Sequence, residues 1–219
     1  MSLDAEQTLE RFRLTEKVNP TFQFPAALDP HKDVLVIIDM QTYFSSARKP
    51  ETIAACQDLL RRFMAAKCYI LLVEYVRRDK AWAEKHGVEM GCTHCELNAL
   101  LDDYNKIVIV QKNQDNGSKN VYEAINAFLC KDPLQMRLTI CGVNIMACVA
   151  QTVRGLLAKG FSDLIMAKQA CNCSCDSWRN VWADFYRQVK DGCIWDRDGL
   201  DKKLNVINGP AFDLLNAVA

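Results

Sequence analysis

Three ionisable side chains in the sequence each follow a short apolar run. Asp39 ends the run VLVIID, Lys112 ends the run KIVIVQK, and Cys148 comes shortly after LTICG. Such runs are typical of buried strands, and the carboxyl ends of parallel strands lie at one edge of a sheet, where open α/β folds bind their ligands. We therefore expect a carboxylate, an ammonium and a thiol to meet at that edge.

These groups suit nucleophilic attack on a carbonyl or amidine carbon. Cys148 falls in the first turn of a predicted helix, where unpaired backbone N–H groups and the helix dipole lower the pKa of a thiol. Asp39 would accept the thiol proton and return it to a leaving amine, and Lys112 would hold the two negative charges in place. The residues predict covalent catalysis through a thioester, which a water molecule activated by Asp39 then hydrolyses.

The elements that must position these groups alternate between strand and helix. We expect strands near Val34–Ile38, Tyr69–Glu74, Lys106–Gln111, Arg137–Cys141, Asp163–Ala167 and Gly192–Trp195. We expect helices near Pro50–Ala66, Cys95–Asp102, Asn120–Leu129, Ala147–Lys159 and Ser177–Lys190. This alternation is typical of right-handed βαβ crossovers and predicts an α/β fold, a three-layer αβα sandwich around a six-stranded, mainly parallel, Rossmann-like sheet. The continuous apolar character of the strands indicates that both faces of the sheet are covered.

Length and charge favour a single domain. The 219 residues suffice for one α/β domain at 33–219 behind an N-terminal arm at 1–32. Basic and acidic residues number 27 each without long blocks of one sign, so no nucleic acid or membrane partner is expected and a neutral small-molecule substrate fits better. The first residues lack the features of a signal peptide, and no apolar run approaches the roughly 20 residues that span a bilayer. We therefore expect a cytoplasmic protein.

Three segments together resemble one known family. These are VLVIIDMQTYF from Val34, the strand-ending Lys112, and CGVNIMACVAQT from Cys141. The chain resembles the isochorismatase-like cysteine hydrolases, which include nicotinamidases, N-carbamoylsarcosine amidohydrolases and ureidoacrylate amidohydrolases, over about residues 33–192. The resemblance implies a hydrolase that cleaves a small-molecule amide or urea C–N bond, with Asp39, Lys112 and Cys148 as its catalytic residues and no cofactor.

The resemblance also implies an oxyanion hole beside the cysteine. In the family a cis peptide bond precedes the nucleophile, and it maps here onto Val143 and Asn144. The backbone N–H groups of Asn144 and Cys148 would then donate to the oxyanion of a tetrahedral intermediate. Gly142, just before this bond, fits a backbone that must bend sharply.

Pocket residues are less well defined by the resemblance. Gln41 and Phe44 match the family residues beside the aspartate, where Phe44 would wall an apolar pocket and Gln41 would tie down the local backbone. The family continues after its lysine with a short pocket-lining stretch that this chain lacks, and Ser118 and Tyr122 are candidate replacements. The substrate itself is not inherited across this difference.

Metal binding of the nicotinamidase type is not expected. Asp79 and His86 lie where nicotinamidases carry a compact Asp and His pair, but they are seven residues apart. Isochorismatases proper cleave a vinyl ether without a cysteine, so the presence of Cys148 favours amide or urea cleavage. Members of the family commonly form dimers or tetramers, and a homo-oligomer is expected here on the same ground.

Cysteine is frequent, with 11 residues in the chain. Most lie in apolar strands and helices, where a free thiol behaves as a small hydrophobe. Two groups, Cys92 with Cys95 and Cys171 with Cys173 and Cys175, leave a structural zinc or redox-active thiols open. The alternatives to an enzyme are therefore a catalytically silent binding module with this fold and a thiol or zinc sensor.

Overall fold

The computed structural model describes residues 27–76, 91, 93–129 and 132–173, together with the backbone of 204–207. Most of the predicted N-terminal arm lies outside these residues. The predicted helix at Ser177–Lys190 and the predicted strand at Gly192–Trp195 also lie outside them, as do Asp79, His86, Cys92 and Cys175.

A parallel sheet forms the centre of the fold. Its strands are β1 (Asp33–Ile38), β2 (Tyr69–Tyr75), β3 (Ile107–Lys112), β4 (Arg137–Val143) and β5 (Leu164–Asn172). A further strand, β6 (Leu204–Ile207), pairs with β5, and the order across the sheet is β3-β2-β1-β4-β5-β6. The α/β fold is confirmed, whereas the sixth strand expected at Gly192–Trp195 stays a prediction.

Branched aliphatic residues account for the central strands. In β1 the sequence DVLVII is buried at every position, because the strand lies between β2 and β4 and both faces are covered. The prediction that all strands are covered on both faces is wrong for β3. This strand lies at the edge of the sheet, and Ile109 on it is left 58% exposed by the described elements.

Within the described residues, four helices flank the sheet. They are α1 (Pro50–Ala65), α2 (Cys95–Leu101), α3 (Ser118–Phe128) and α4 (Ala150–Ala158); α1 contacts α2, and α3 contacts α4. The strand order runs outward from β1 through β2 to β3 and then resumes on the other side of β1 with β4. Right-handed crossovers before and after such a reversal place their helices on opposite faces, which gives three layers and a crevice at the carboxyl ends of β1 and β4. None of the helices in the described part of the chain is both long and apolar enough to span a membrane.

The close approach of β4 to β1 depends on Gly142. Its φ is +118°, a conformation that residues with a Cβ rarely adopt, and a Cβ at this position would overlap the carbonyl oxygen of Ile38. The bend predicted at Gly142 is therefore present. It brings the segment before Cys148 against the end of β1, where Asp39 follows.

Candidate active site

Asp39 directly follows β1 and turns its carboxyl group into the protein. Its φ is +52°, in the left-handed region, and its N–H donates to the carbonyl oxygen of Val73 at 2.8 Å. The side chain is fully buried. The end of the strand thus delivers a carboxyl group to the crevice between β1 and β4.

Lys112 ends β3 and reaches the same carboxyl group. Its Nζ lies 2.8 Å from Oδ2 of Asp39, and both side chains are inaccessible to solvent. The ammonium also donates to the carbonyl oxygen of Gln114 at 3.2 Å and lies 4.9 Å from the ring centroid of Tyr75. A buried ammonium needs such partners, because its desolvation costs several kcal/mol.

The electrostatics of Asp39 show two opposing effects. Burial raises the pKa of the Asp39 carboxyl above 3.8, while the charge of Lys112 and hydrogen bonds from Lys112 and Cys148 lower it; burial is the larger effect. Oδ1 of this carboxyl is buried and accepts no N–H or O–H hydrogen bond from the described residues. A carboxyl group with a raised pKa that is hydrogen-bonded to an ammonium and to a thiol is suited to accept the proton of that thiol.

Cys148 lies where the sequence predicts it, beside Asp39, but in a different local structure. The predicted helix from Ala147 is instead a π-helical turn, Ile145–Val149, followed by α4. Such wide turns are rare and often occur at functional sites. The Cys148 side chain is nearly buried, and its thiol is within hydrogen-bonding reach of the Asp39 carboxyl.

The predicted lowering of the thiol pKa is wrong in direction. Burial, followed by the charge of Asp39, raises the pKa of Cys148 to about 12, and Lys112 opposes this only in part. The desolvation of the thiolate outweighs the helix dipole here, because the group is enclosed and two carboxylates lie near it. Cys148 therefore rests as a neutral thiol beside the carboxyl group of Asp39.

Asp115 is a residue of this site that sequence reasoning missed. Its Oδ1 lies 3.7 Å from Sγ of Cys148, and its side chain is exposed. The Thr152 hydroxyl accepts from the N–H of Gly117 at 2.9 Å and donates to the carbonyl oxygen of Asp115 at 3.4 Å, which fixes the loop 113–117 against α4. The feature of the sequence that could have indicated Asp115 is the position of its loop, which follows β3 at the same edge of the sheet as Lys112.

The turn before the cysteine contains the cis peptide bond between Val143 and Asn144. The carbonyl oxygen of Asn144 accepts from the N–H groups of Ala147 and Val149, and the N–H of Cys148 is not a donor to it. The side chain of Asn144 is held by the Ser46 hydroxyl, which donates to its Oδ1 at 2.7 Å. Both predicted oxyanion donors thus belong to one short, fixed segment.

Gln41 and Phe44 lie on the loop after β1, as expected. The buried side chain of Gln41 accepts from the N–H of Tyr75 at 2.7 Å and donates to the carbonyl oxygens of Tyr75 and Gly91 at 3.1 and 2.7 Å. It ties down local backbone, and its assignment to the substrate pocket stays a prediction. Phe44 is half-buried, and its ring packs edge-on against Tyr75, the aromatic ring beneath Lys112.

Ser118 and Tyr122 contact α4 and its C-terminal end instead of the catalytic residues. Ser118 begins α3 and packs so closely on Gly155 that a Cβ at Gly155 would overlap the serine side chain. Tyr122 packs edge-on against Phe161, and Nζ of Lys159 lies 5.2 Å from its ring centroid. These contacts favour helix packing over the predicted substrate contact for both residues.

The cysteine groups do not form a metal site in the described part of the chain. No set of three or more His, Cys, Asp or Glu side chains placed to hold a metal ion occurs there. Cys95 is exposed, whereas Cys171 and Cys173 are buried on β5 and just after it. A hydrogen bond with Cys56, followed by burial, raises the pKa of Cys141, and burial, followed by the charge of Cys56, raises the pKa of Cys171.

Solved structures of several hydrolases have the same fold. The MAR1 ribonuclease from Caenorhabditis elegans is 18% identical over 80% of this chain and 83% of its own, with a TM-score of 0.56. The nicotinamidase PncA from Bacillus subtilis is 16% identical over 81% and 99%, with a TM-score of 0.58. The N-carbamoylsarcosine amidase from Thermoplasma acidophilum is 16% identical over 81% and 99%, with a TM-score of 0.56.

These likenesses concern the fold alone, and the named proteins differ in what they act on. None of the curated protein sequences matches this chain significantly. The family profile described as the isochorismatase domain matches residues 33–185, which include Asp39, Lys112, Asp115 and Cys148. The resemblance stated from the sequence is confirmed, and the chain belongs to the isochorismatase family, a family of hydrolases that includes amidases.

Proposed function

We propose that this chain is a cysteine amidohydrolase that cleaves the C–N bond of a small-molecule amide or urea through a thioester at Cys148. The observation that carries the proposal is the buried ion pair of Asp39 and Lys112, 2.8 Å long, with the Cys148 thiol beside the same carboxyl group. A buried acid, ammonium and thiol from three separate strand ends serve no obvious packing purpose. The free-energy cost of desolvating these groups is explained if they take part in catalysis.

The first half of the reaction begins with proton transfer. Asp39 accepts the proton of the Cys148 thiol as sulfur attacks the carbonyl carbon, so that the high thiol pKa is overcome only when substrate is present. The backbone N–H groups of Asn144 and Cys148 stabilise the oxyanion, and each such donor contributes about 3 kcal/mol to lowering a barrier of this type. Asp39 then gives its proton to the leaving nitrogen, the C–N bond breaks, and a thioester remains.

The second half regenerates the enzyme. Asp39 removes a proton from a water molecule, which attacks the thioester carbonyl, and the C–S bond breaks as the thiol regains its proton. Lys112 stays beside Asp39 throughout and stabilises the carboxylate form of Asp39 whenever that form is required. No step of this scheme needs a metal or a cofactor, in keeping with what the resemblance implies.

A substrate panel tests this proposal. Purified protein is incubated with amides, ureas and carbamoyl compounds, and released ammonia is measured for the wild type, Cys148→Ala and Cys95→Ala. We expect ammonia from the wild type and from Cys95→Ala, since Cys95 is an exposed thiol on α2. Loss of the nucleophile should lower the rate at least about a thousandfold. Ammonia release that survives in Cys148→Ala would overturn the assignment of the nucleophile.

The thioester can be trapped on the amides of the same panel. Hydroxylamine attacks a thioester, forms a hydroxamic acid and releases the thiol, so that an acyl-enzyme partitions between water and hydroxylamine. We expect hydroxamate at the expense of the carboxylic acid, with the release of ammonia unchanged when thioester formation limits the rate. Direct attack of water on the amide, without an acyl-enzyme, gives no hydroxamate and contradicts the covalent mechanism.

A catalytically silent binding module is the main rival. It would hold the same three side chains but release no ammonia from any compound of the panel. A thiol or zinc sensor is a second rival, and metal analysis of the purified protein distinguishes it, because it requires stoichiometric zinc. The described residues offer no cluster for that ion.

A further inference from the structure

The thiol of Cys148 has two carboxyl groups within reach. One is the buried carboxyl of Asp39, and the other is the exposed carboxyl of Asp115, whose Oδ1 lies 3.7 Å from Sγ. The proposed reaction uses only Asp39. Asp115 is therefore an additional negative group at the reacting atom, without an assigned role.

The charge of Asp115 has no counter-ion among the described residues. The ammonium of Lys112 is directed at Oδ2 of Asp39 and at the carbonyl oxygen of Gln114. None of the ion pairs between described residues includes Asp115. Since Asp39 and Lys112 neutralise each other, Asp115 gives the described surroundings of the thiol one excess negative charge.

A second observation concerns the hydrogen bonding of the Asp39 carboxyl group. Oδ1 of Asp39 is fully buried and accepts no hydrogen bond from an N–H or O–H of the described residues. Buried carboxylate oxygens usually have such partners, and one without them is expected to receive a donor during function. The thiol thus lies between a buried carboxyl group, one oxygen of which binds no N–H or O–H of the described residues, and an exposed carboxylate that has no counter-ion among them.

The position of Asp115 is fixed by its backbone. The Thr152 hydroxyl binds the carbonyl oxygen of Asp115 and the N–H of Gly117, so the loop is anchored on both sides of Asn116. The side chain of Asn116 in turn accepts from the N–H of Ser118 at 2.9 Å. An anchored carboxylate can recognise charge at a defined place, whereas a freely moving surface carboxylate cannot.

We infer that this site selects cationic substrates, namely amides with an ammonium or guanidinium group two bonds from the scissile carbonyl carbon, and that Asp115 binds that group. The inference rests on the proposed function. A reacting carbon lies about 3–3.5 Å from its nucleophile, and a charge-assisted N–H···O⁻ bond is about 2.8 Å long. With 3.7 Å between the sulfur and the carboxylate oxygen, both distances are met by a nitrogen two bonds from the carbonyl carbon.

This assignment revises the neutral substrate expected from composition. The balanced totals of acidic and basic residues describe the whole chain, whereas recognition depends on the few charges near the reacting atoms. A cationic group at Asp115 would also offset the negative charge that raises the pKa of the thiol. Substrate binding would then favour the thiolate at the moment of attack.

The field at Cys148 can be measured without a known substrate. Two methanethiosulfonate reagents of similar size, the cationic 2-aminoethyl and the anionic 2-sulfonatoethyl compound, transfer their thioethyl group to a thiolate and release methanesulfinate. Mass spectrometry gives the rate at Cys148 and, in the same molecule, at the exposed Cys95. The ratio of the cationic to the anionic rate cancels any change in thiol pKa, which affects both reagents alike.

We expect this ratio to be about tenfold higher at Cys148 than at Cys95 in the wild type, which is within the range of electrostatic effects on association. Asp115→Asn should bring the two ratios together. The matched control is Glu123→Gln, which removes the same charge from an exposed position on α3 and should change neither ratio. A Cys148 ratio that is unchanged by Asp115→Asn would overturn the inference.

A pair of substrates separates this inference from the proposed function. Glycinamide carries an ammonium two bonds from its carbonyl carbon, and propionamide has a methyl group in its place. Preferential ammonia release from glycinamide that disappears in Asp115→Asn supports both claims. Equal hydrolysis of the two amides, unaffected by Asp115→Asn, removes the charge preference and leaves the amidohydrolase. Charge-selective labelling with no hydrolysis of any amide or urea keeps the cation site and removes the amidohydrolase.

Discussion

Nζ of Lys112 and Oδ2 of Asp39 are 2.8 Å apart, and neither side chain is accessible to solvent. Two strand ends separated by 73 residues therefore supply a fully desolvated ion pair. Removing one partner of such a pair leaves the other charge buried and uncompensated, and it typically lowers the free energy of unfolding by about 3–5 kcal/mol.

We expect Asp39→Asn and Lys112→Met each to cause a loss of about this size, measured by urea denaturation. The double variant should lose clearly less than the sum, because no charge then remains unpaired. Lys119→Met with Glu123→Gln is the matched control, since this pair is exposed and its removal should change the free energy by less than about 0.5 kcal/mol. Strict additivity of the two buried substitutions would show that the ion pair does not couple them.

The thiol of Cys148 should stay protonated far into the alkaline range. Burial and Asp39 raise its pKa from 9.0 to about 12. The rate of its alkylation by iodoacetamide should therefore rise about tenfold per pH unit from pH 7 to pH 10, as the small thiolate fraction grows. Site-resolved mass spectrometry gives this rate, and a plateau within that range would contradict the assigned direction.

The same shift makes a contribution to stability that is lost in alkali. In the unfolded chain the thiol ionises near 9.0, whereas in the folded protein it retains its proton up to about 12. The folded state then binds more protons than the unfolded state, so the free energy of unfolding falls as the pH rises through this window. Cys148→Ser should fall less steeply between pH 9 and pH 10.5 in urea denaturation, because a serine hydroxyl does not titrate there.

Two buried threonines provide a matched test of the loop that carries Asp115. The hydroxyl of Thr152 satisfies the buried N–H of Gly117, whereas the hydroxyl of Thr139 has no partner among the described residues. Thr152→Val should lower the free energy of unfolding by about 1–3 kcal/mol and reduce the charge selectivity at Cys148. Thr139→Val keeps the shape of the side chain and should be neutral or slightly stabilising. Equal losses in the two variants would mean that hydrogen bonding at Thr152 contributes nothing.

Gly142 should tolerate no larger residue. Gly142→Ala places a Cβ on a residue with positive φ, and that Cβ overlaps the carbonyl oxygen of Ile38. We therefore expect the free energy of unfolding to fall by more than about 3 kcal/mol. Gly160 separates the two effects: its φ is +98°, but a Cβ there would meet no atom closer than 3.5 Å. Gly160→Ala should therefore cost only the backbone term of about 1–2 kcal/mol, measured by thermal or urea unfolding. Similar losses for the two variants would exclude close packing of β4 on β1 as the reason for this glycine.

The residues of the site that follow strands could be predicted from the sequence. Asp39, Lys112 and Cys148 each follow an apolar run, and parallel topology forces such ends to one edge of the sheet. Asp115 has no comparable signal, because a carboxylate in a polar loop is ordinary and only the folded loop shows that it faces the sulfur. The direction of the Cys148 pKa shift was missed for a related reason, since the depth of burial is not written in the local sequence.

The spacing of apolar residues along a predicted helix also did not determine which neighbours its side chains contact. Tyr122 lies in a helix that begins near the site, but its ring packs against Phe161 beyond the far end of α4. Periodicity predicts that a face is buried without saying which neighbour buries it. Strand lengths were underestimated where polar residues continue a strand: β5 runs on to Asn172, so Cys171 is a strand residue whose thiol is near Cys56 and not a loop ligand.

The left-handed backbone at Asp39 limits which residues can occupy the position at all. Gly, Asn and Asp adopt a φ of +52° with little energetic penalty, whereas most other residues at this position would disturb the end of β1. Only Asp among these three carries a charge to balance the ammonium of Lys112. The backbone conformation and the need for a counter-ion therefore restrict this position independently. Gly or Asn would fit the backbone but would leave the ammonium of Lys112 without a negative partner.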